Sequence, residues 1–115
     1  MNFEPVVRDM NKYGARKTWS ALCQRTFDSK AEASHGEGLR ALEMAGDICN
    51  LEYQPVYELC GDKGHKAHYK PDFRYVENGQ TVVVDVKGVM TEAARVRIAW
   101  LWQLYGIDVK VVKAG

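Results

Sequence analysis

Residues 69–88 read YKPDFRYVENGQTVVVDVKG, and this stretch decides the fold that the rest of the chain completes. Two runs rich in β-branched and aromatic residues flank Asn78-Gly79. That pair is typical of a type I′ turn, because both central residues of such a turn need a positive φ. The pattern therefore predicts a β-hairpin in which Glu77 faces Gln80.

The register of this hairpin places two aspartates opposite each other. Counted outward from the turn, Asp72 faces Asp85 and Lys70 faces Lys87, all on one face because side chains alternate along a strand. Opposed like charges destabilise a sheet, so the aspartates need a counter-charge. The lysines supply part of it, and Mg²⁺ would supply the rest, since it binds through one or two carboxylates with water and phosphate. Pro71 has no N–H for the ladder, so the pairing should fray or bulge beside Asp72.

The chain has 115 residues, of which 46% are hydrophobic and 27% charged, and its net charge is +1. These values are ordinary for a globular protein, and we expect residues 1–115 to form a single domain. We expect no membrane partner and no signal peptide, since no apolar run approaches the roughly 20 residues of a membrane span. The odd number and wide spacing of Cys23, Cys49 and Cys60 favour free thiols and a cytoplasmic location.

The first 26 residues have weak periodicity, which indicates an irregular or partly strand-forming arm. Their basic residues are Arg8, Lys12, Arg16, Lys17 and Arg25. One interpretation is a solvated terminus. The other is a basic N-terminal arm whose residues, Arg16 and Lys17 among them, contact DNA phosphates.

A first helix is predicted over residues 29–45. Ser29 and Glu32 have the spacing of a capping box, and Gly46 fits the position after the last helical turn. Residues 51–60 alternate between apolar and polar side chains and predict one strand, in which Pro55 indicates an edge position or a bulge. Residues 61–67 predict a polar turn before the hairpin.

A second helix is predicted from its cap at Thr91 to Tyr105, and a last strand over residues 107–112. The complete order is α-β-β-β-α-β, which predicts an α/β fold with a mixed sheet flanked by helices. The final β-α-β unit requires a right-handed crossover and parallel pairing. The second helix is apolar almost all round from Ile98 onward, so more than one side must be covered, by the N-terminal arm or by a second subunit of a homodimer.

These motifs, in this order, resemble the PD-(D/E)XK nuclease superfamily and, within it, a family of small phage-encoded endonucleases similar to Holliday-junction resolvases. The resemblance covers roughly residues 13–112. It rests on FDSKAE at 27–32, NLEYQP at 50–55, KPDF at 70–73 and DVKG at 85–88. The sequence departs from the family at Gly36 and Gly38 in the first helix and in the short loop at 61–67.

The resemblance implies a restriction-endonuclease-like αβββαβ core and a metal-dependent phosphodiester hydrolase. Asp72, Asp85, the Val86 carbonyl and Glu32 would hold Mg²⁺, for which Mn²⁺ could substitute, and Lys87 would orient the attacking water. Two structural explanations stay open from the residues alone. The aspartates and lysines could form a surface salt-bridge lattice, and Glu32 could serve only as a helix cap.

The implied substrate is DNA. The resemblance favours branched or Holliday-junction DNA, cut during phage recombination or replication in the cytoplasm of a bacterial host. The alternatives are a nicking or duplex-cleaving phage endonuclease and a non-catalytic DNA-binding accessory protein. The candidate DNA contacts are Arg16, Lys17, Lys30, Gln54, Lys66 and Lys70. Cys60, His65 and His68 lack the fourth ligand of a zinc site.

Overall fold

The computed structural model describes residues 16–114. In chain order its strands and helices are β1 (Thr18–Ser20), β2 (Arg25–Phe27), α1 (Lys30–Ala45), β3 (Cys49–Tyr53), β4 (Tyr57–Cys60), β5 (Lys66–Tyr69), β6 (Phe73–Glu77), β7 (Gln80–Lys87), α2 (Glu92–Tyr105) and β8 (Val109–Lys113). The main sheet has four strands in the order β3-β6-β7-β8, and β1-β2 and β4-β5 form separate two-stranded sheets.

The predicted hairpin is confirmed as β6 and β7. Glu77 pairs with Gln80, and the register continues to Phe73 opposite Val84. The turn residues Asn78 and Gly79 have φ values of 52° and 76°, as a type I′ turn requires. The ladder stops one position before Asp72 and Asp85, where Pro71 has no N–H to give.

The main sheet is mixed, as the sequence predicts. β3 runs antiparallel to β6, β6 antiparallel to β7, and β7 parallel to β8 through α2. Without the two small hairpins, its elements follow the chain order α1, β3, β6, β7, α2, β8. The protein is therefore an α/β structure with two helices and a mixed sheet.

The prediction of one strand over residues 51–60 is wrong. The chain leaves the main sheet after Tyr53, because Gln54 has a φ of 50° and the buried Pro55 cannot extend the ladder. β4 then pairs with β5, so the last two residues of the predicted polar turn, 66 and 67, belong to a strand. Residues 62–64 form a short 3-10 turn between them.

The N-terminal arm is partly strand-forming, one of the two forms that its sequence indicates, because residues 18–26 form most of the β1-β2 hairpin. A turn at 21–24 joins the two strands, and Gln24 takes a positive φ of 56° in it. Neither strand exceeds three residues, too short for apolar alternation to show in the sequence. The rest of the arm, residues 1–15, lies outside the described residues.

The sheet separates two apolar cores, because successive residues of β7 point to opposite faces. Val84 packs with Phe27, Ala33, Leu39 and Phe73 under α1. Val83 packs with Leu59, Tyr69, Leu101 and Val109 under α2. The ends of β6 and β7 thus lie between the two helical layers.

Both helices begin and end where the sequence predicts. The Ser29 hydroxyl accepts a hydrogen bond from Glu32 N–H at the start of α1, and Thr91 does the same for Ala94 in α2. Gly46 and Gly106 end the two helices in left-handed conformations, which glycine adopts without a Cβ penalty.

Gly36 lets α1 approach the sheet closely, and Gly38 does not serve this purpose. A Cβ on Gly36 would lie 2.9 Å from the Phe27 ring and 3.0 Å from the Phe73 ring, whereas a Cβ on Gly38 would meet nothing within 4 Å. We expect Gly36→Ala to lower the free energy of unfolding by about 1–3 kcal/mol through overpacking. Gly38→Ala should raise it by up to about 1 kcal/mol through helix propensity.

Urea denaturation of the two variants checks this expectation, and Gly38→Ala is the matched control on the same helix. Equal effects of the two substitutions would show that the contact with the two phenylalanines is unimportant.

Candidate functional site

Three carboxyl groups meet where β6 begins and β7 approaches its end. Asp72 lies directly before β6, Asp85 lies in β7, and Glu32 lies in the first turn of α1. Glu32 is 4% exposed and Asp85 2% exposed. Burial, together with hydrogen-bonding contacts to the Glu32 and Asp85 carboxyls, raises the pKa of Asp72 well above its usual range. The structure thus brings the three predicted acidic residues together.

Asp72 is fixed by the end of the hairpin. Its Oδ2 accepts a hydrogen bond of 2.7 Å from the backbone N–H of Val86. The donor lies in the β7 strand just beyond the last pair of the ladder. The Val86 N–H has no partner from β6, because the ladder ends before Pro71. The Asp72 side chain accepts a hydrogen bond from this N–H instead, which holds Asp72 beside Asp85.

Asp85 is held by two side chains at the same oxygen. The Tyr69 hydroxyl donates a hydrogen bond of 2.6 Å to Oδ2, and Lys87 Nζ lies 3.2 Å from it. The Tyr69 side chain is buried, and burial together with the neighbouring Asp85 raises its pKa, so the hydroxyl stays protonated and donates. Lys87 is half-buried and supplies a positive charge at the cluster.

Glu32 caps α1 and also lies beside Asp72. Its Oε1 accepts a hydrogen bond of 2.9 Å from Asp28 N–H, and its own N–H donates to the Ser29 hydroxyl at 3.0 Å. In the usual capping box the glutamate side chain accepts from the N–H of the N-cap residue, here Ser29. In this protein it accepts from the N–H of the preceding residue, Asp28. The same carboxyl group also reaches Asp72. The cap therefore positions the acid at the cluster.

The predicted pairing of Lys70 with Lys87 is wrong. Lys70 follows β5, whose ladder is formed with β4 and ends at Tyr69, and its side chain is exposed. Pro71 interrupts the strand between Lys70 and β6, so the hairpin register does not extend that far. Lys87 is instead paired with Asp85.

The ligands that this cluster offers are of the kind that Mg²⁺ prefers. The donors are carboxylate oxygens and a strand carbonyl, and hard divalent cations take oxygen ligands. Between residues 16 and 114, no group of three or more His, Cys, Asp or Glu side chains is placed to hold a metal ion. The hydrogen bonds described above use Oε1 of Glu32 and one Oδ2 each of Asp72 and Asp85. Each carboxyl group has a second oxygen, and an oxygen that accepts one hydrogen bond can also bind a cation, so these hydrogen bonds leave room for a shared ion.

The predicted DNA contacts are spread over the structure. Gln54 is brought to the cluster, since its N–H donates to the Asp72 carbonyl at 2.9 Å. Lys17 forms an exposed ion pair of 3.2 Å with Asp28, one residue before the α1 cap. The remaining four, Arg16, Lys30, Lys66 and Lys70, are exposed.

Sequence reasoning missed Tyr69 as a member of the site. Counting residue pairs outward from the Asn78-Gly79 turn gives no reason to select Tyr69, because its strand β5 belongs to a different sheet from Asp85. Its position three residues before Asp72, at the end of an alternating run, was the available signal.

The cysteines play no part in the cluster, and all three are free, as the sequence predicts. In the part of the chain that the structure describes, no helix is long and apolar enough to cross a membrane.

A known protein family matches most of the chain. Residues 10–112 match the family described as "Protein of unknown function (DUF1064)". No curated protein matches the chain. The match spans the cluster and every helix and nearly every strand residue that the structure describes.

Proposed function

We propose that this chain, which belongs to the family described as Protein of unknown function (DUF1064), is a Mg²⁺-dependent DNA endonuclease. The observation that carries the proposal is the buried meeting of Glu32, Asp72 and Asp85 beside Lys87. The order of elements in the main sheet supports a restriction-endonuclease-like core. The positions of Asp72 and Asp85 at the end of its central hairpin support the resemblance to PD-(D/E)XK nucleases.

The residues that would hold the ion are Glu32, Asp72, Asp85 and the Val86 carbonyl. Folding places these acids close together and away from water, which raises the pKa of Asp72. A divalent cation would offset the free-energy cost of ionising these buried neighbouring acids, because it favours the ionised form of every carboxyl group around it. When bound, Mg²⁺ lowers the pKa of a coordinated water and neutralises charge on the scissile phosphate.

Lys87 contributes a hydrogen-bond donor and a positive charge. From its position beside Asp85 it would orient the attacking water and stabilise charge on a phosphate oxygen. The water oxygen bonds to phosphorus as the bond from phosphorus to the 3′ oxygen breaks. The proton lost by the water is balanced by the one that the 3′ oxygen takes up. The products carry a 5′-phosphate and a 3′-hydroxyl.

Tyr69 acts as a positioning residue in this proposal. Its hydroxyl fixes one oxygen of Asp85 and so determines which oxygen can face the ion. We expect Tyr69→Phe to weaken Mg²⁺ binding and cleavage by about 10- to 100-fold, as is usual when a partner of a metal ligand is lost. The affinity is measured from the Mg²⁺ dependence of thermal stability and, independently, of cleavage.

The matched control is Tyr75→Phe, which removes the hydroxyl of a second buried tyrosine, in β6 of the main sheet. If the two variants require the same Mg²⁺ concentration as the wild-type protein, Tyr69 has no positioning role.

A branched substrate and a homodimer are the finer parts of the proposal. The described surface of α2 carries exposed Val96, Trp102, Leu104 and Tyr105. Several large apolar side chains exposed on one helix support a protein interface on α2. A dimer would present two cleavage sites to the two strands of a four-way junction, which supports the Holliday-junction substrate.

The experiment compares a labelled four-way junction with a linear duplex of the same sequence, in Mg²⁺ and in EDTA. We expect Mg²⁺-dependent cleavage with a preference for the junction. Cleavage of both DNAs at equal rates would favour the nicking or duplex-cleaving alternative. Binding without cleavage under any metal condition would favour the accessory protein. A monomeric mass in solution would contradict the dimer.

A further inference from the structure

A groove beside the carboxyl cluster has no assigned role. It lies between α1 and the ends of β7 and β8 and has a volume of about 1070 Å³. The residues that determine its character are Lys30, His35, Leu39, Leu42, Val112 and Lys113. The groove begins at the first turn of α1, where Lys30 and Ala31 line it and the next residue, Glu32, belongs to the carboxyl cluster. It therefore lies next to the proposed cleavage site, on the opposite face of β7 from Asp85 and Lys87, since Val86 lines it and side chains alternate along a strand.

Among the residues that the structure describes, the charged side chains that line this groove are positive. They are Lys30 and Lys113, and no aspartate or glutamate of residues 16–114 lines it. Lys110 lies close enough to His35 to contribute, after burial, to lowering the pKa of that histidine. Lys113 is opposite Lys87 in the β7-β8 ladder, so the basic rim continues into the carboxyl cluster. Such a rim is complementary to a chain of phosphates that passes through the site.

The floor of the groove is apolar. Leu39, Leu42 and Val112 form most of it, and the His35 side chain also lines the groove. His35 Nε2 has no hydrogen-bond partner between residues 16 and 114, but it is covered by protein atoms and is not open to the groove. The floor therefore offers apolar contact, which suits the faces of unpaired bases.

We propose that the groove binds a single DNA strand next to the scissile phosphate. Single strands expose the faces of their bases to apolar surface and their phosphates to basic side chains, whereas a duplex hides its bases. The volume lies near the upper end of small-ligand sites, about 300–1,000 Å³, which suits a few nucleotides and not a duplex. The inference rests on the proposed endonuclease function. It narrows the substrate to branched DNA that presents a few unpaired nucleotides at its branch point.

The test measures binding by fluorescence anisotropy with the wild-type protein in EDTA, so that cleavage does not interfere. The probes are labelled twelve-nucleotide oligothymidylate and a blunt duplex of equal length. We expect tighter binding of the oligothymidylate. Lys113→Gln should reduce the slope of log affinity against log salt by about 0.7, the value for one phosphate contact of a single strand. Arg95→Gln, the same charge change on α2 across the sheet, should leave the slope unchanged.

A second pair of variants tests the floor. Leu42→Glu places a negative charge in the groove and should weaken oligothymidylate binding about 10-fold or more. Met44→Glu is the matched control, because Met44 is exposed on the same helix and does not line the groove. Circular dichroism confirms that each variant is folded.

Three results would overturn the inference: stronger binding of the duplex, equal effects of Leu42→Glu and Met44→Glu, or equal competition by an acidic peptide of the same charge. Cleavage is assayed separately. Groove-dependent strand binding with no Mg²⁺-dependent cleavage would refute the nuclease proposal and support strand binding. If cleavage is the same in the wild-type protein and the groove variants, and no strand binds in the groove, the groove proposal is refuted and the nuclease proposal stands.

Discussion

Asp85→Asn is expected to lower Mg²⁺-dependent DNA cleavage by at least about 1000-fold, because it removes one charged ligand of the proposed ion and the partner of Lys87 together. The asparagine has nearly the same shape and can still accept the Tyr69 hydrogen bond, so the fold should survive. Binding of DNA in EDTA should persist. Single-turnover cleavage of a labelled junction measures the rate, and circular dichroism measures the fold.

The matched control is Glu77→Gln, which neutralises a carboxylate of the same hairpin at its opposite, exposed end. It should cleave as the wild-type protein does. A folded Asp85→Asn protein that retained wild-type cleavage would refute the assigned site. Loss of cleavage in both variants would indicate that the assay reports hairpin stability and not catalysis.

The hairpin could be predicted from the sequence because its determinants are local. Asn78-Gly79 dictates the turn, the turn fixes the register, and the register carries Asp72 to Asp85. Even the end of the ladder follows from one residue, Pro71, which lacks an N–H. The helix bounds are local in the same sense, since Ser29, Thr91, Gly46 and Gly106 act within one turn.

The rest depends on contacts between distant segments. The break at Gln54 and Pro55 sends β4 into a second sheet, although the residues before and after it share one alternating pattern. Tyr69 reaches Asp85 only because that second sheet folds over the α2 face of the main one. The hydrophobic periodicity of the sequence does not predict that the second sheet packs in this position. The resemblance, in contrast, named Glu32 without any local reason beyond a helix cap.

The second large effect is expected on the free energy of unfolding, which should depend on both Asp72 and Mg²⁺. In EDTA at pH 8, we expect Asp72→Asn to raise the free energy of unfolding by about 1–4 kcal/mol, since a neutral side chain replaces a buried group surrounded by other acids. The melting temperature should rise by roughly 4–8 °C per kcal/mol. In the wild-type protein, Mg²⁺ at 100 times its Kd should add about 2.7 kcal/mol, and it should add little in the variant. Thermal denaturation with and without Mg²⁺ measures both effects.

The pH dependence of this difference identifies its cause. The pKa of Asp72 is raised in the folded protein by burial and by the neighbouring carboxyls, so the folded protein keeps a proton that the unfolded chain releases near pH 4. The free energy of unfolding of the metal-free wild-type protein should therefore fall as the pH rises above about 4, and the variant should lose most of this fall. Asp108→Asn, at an exposed aspartate, is the control and should keep it. A less stable Asp72→Asn protein, equally stabilised by Mg²⁺, would mean that Asp72 serves the hairpin through Val86 and not an ion.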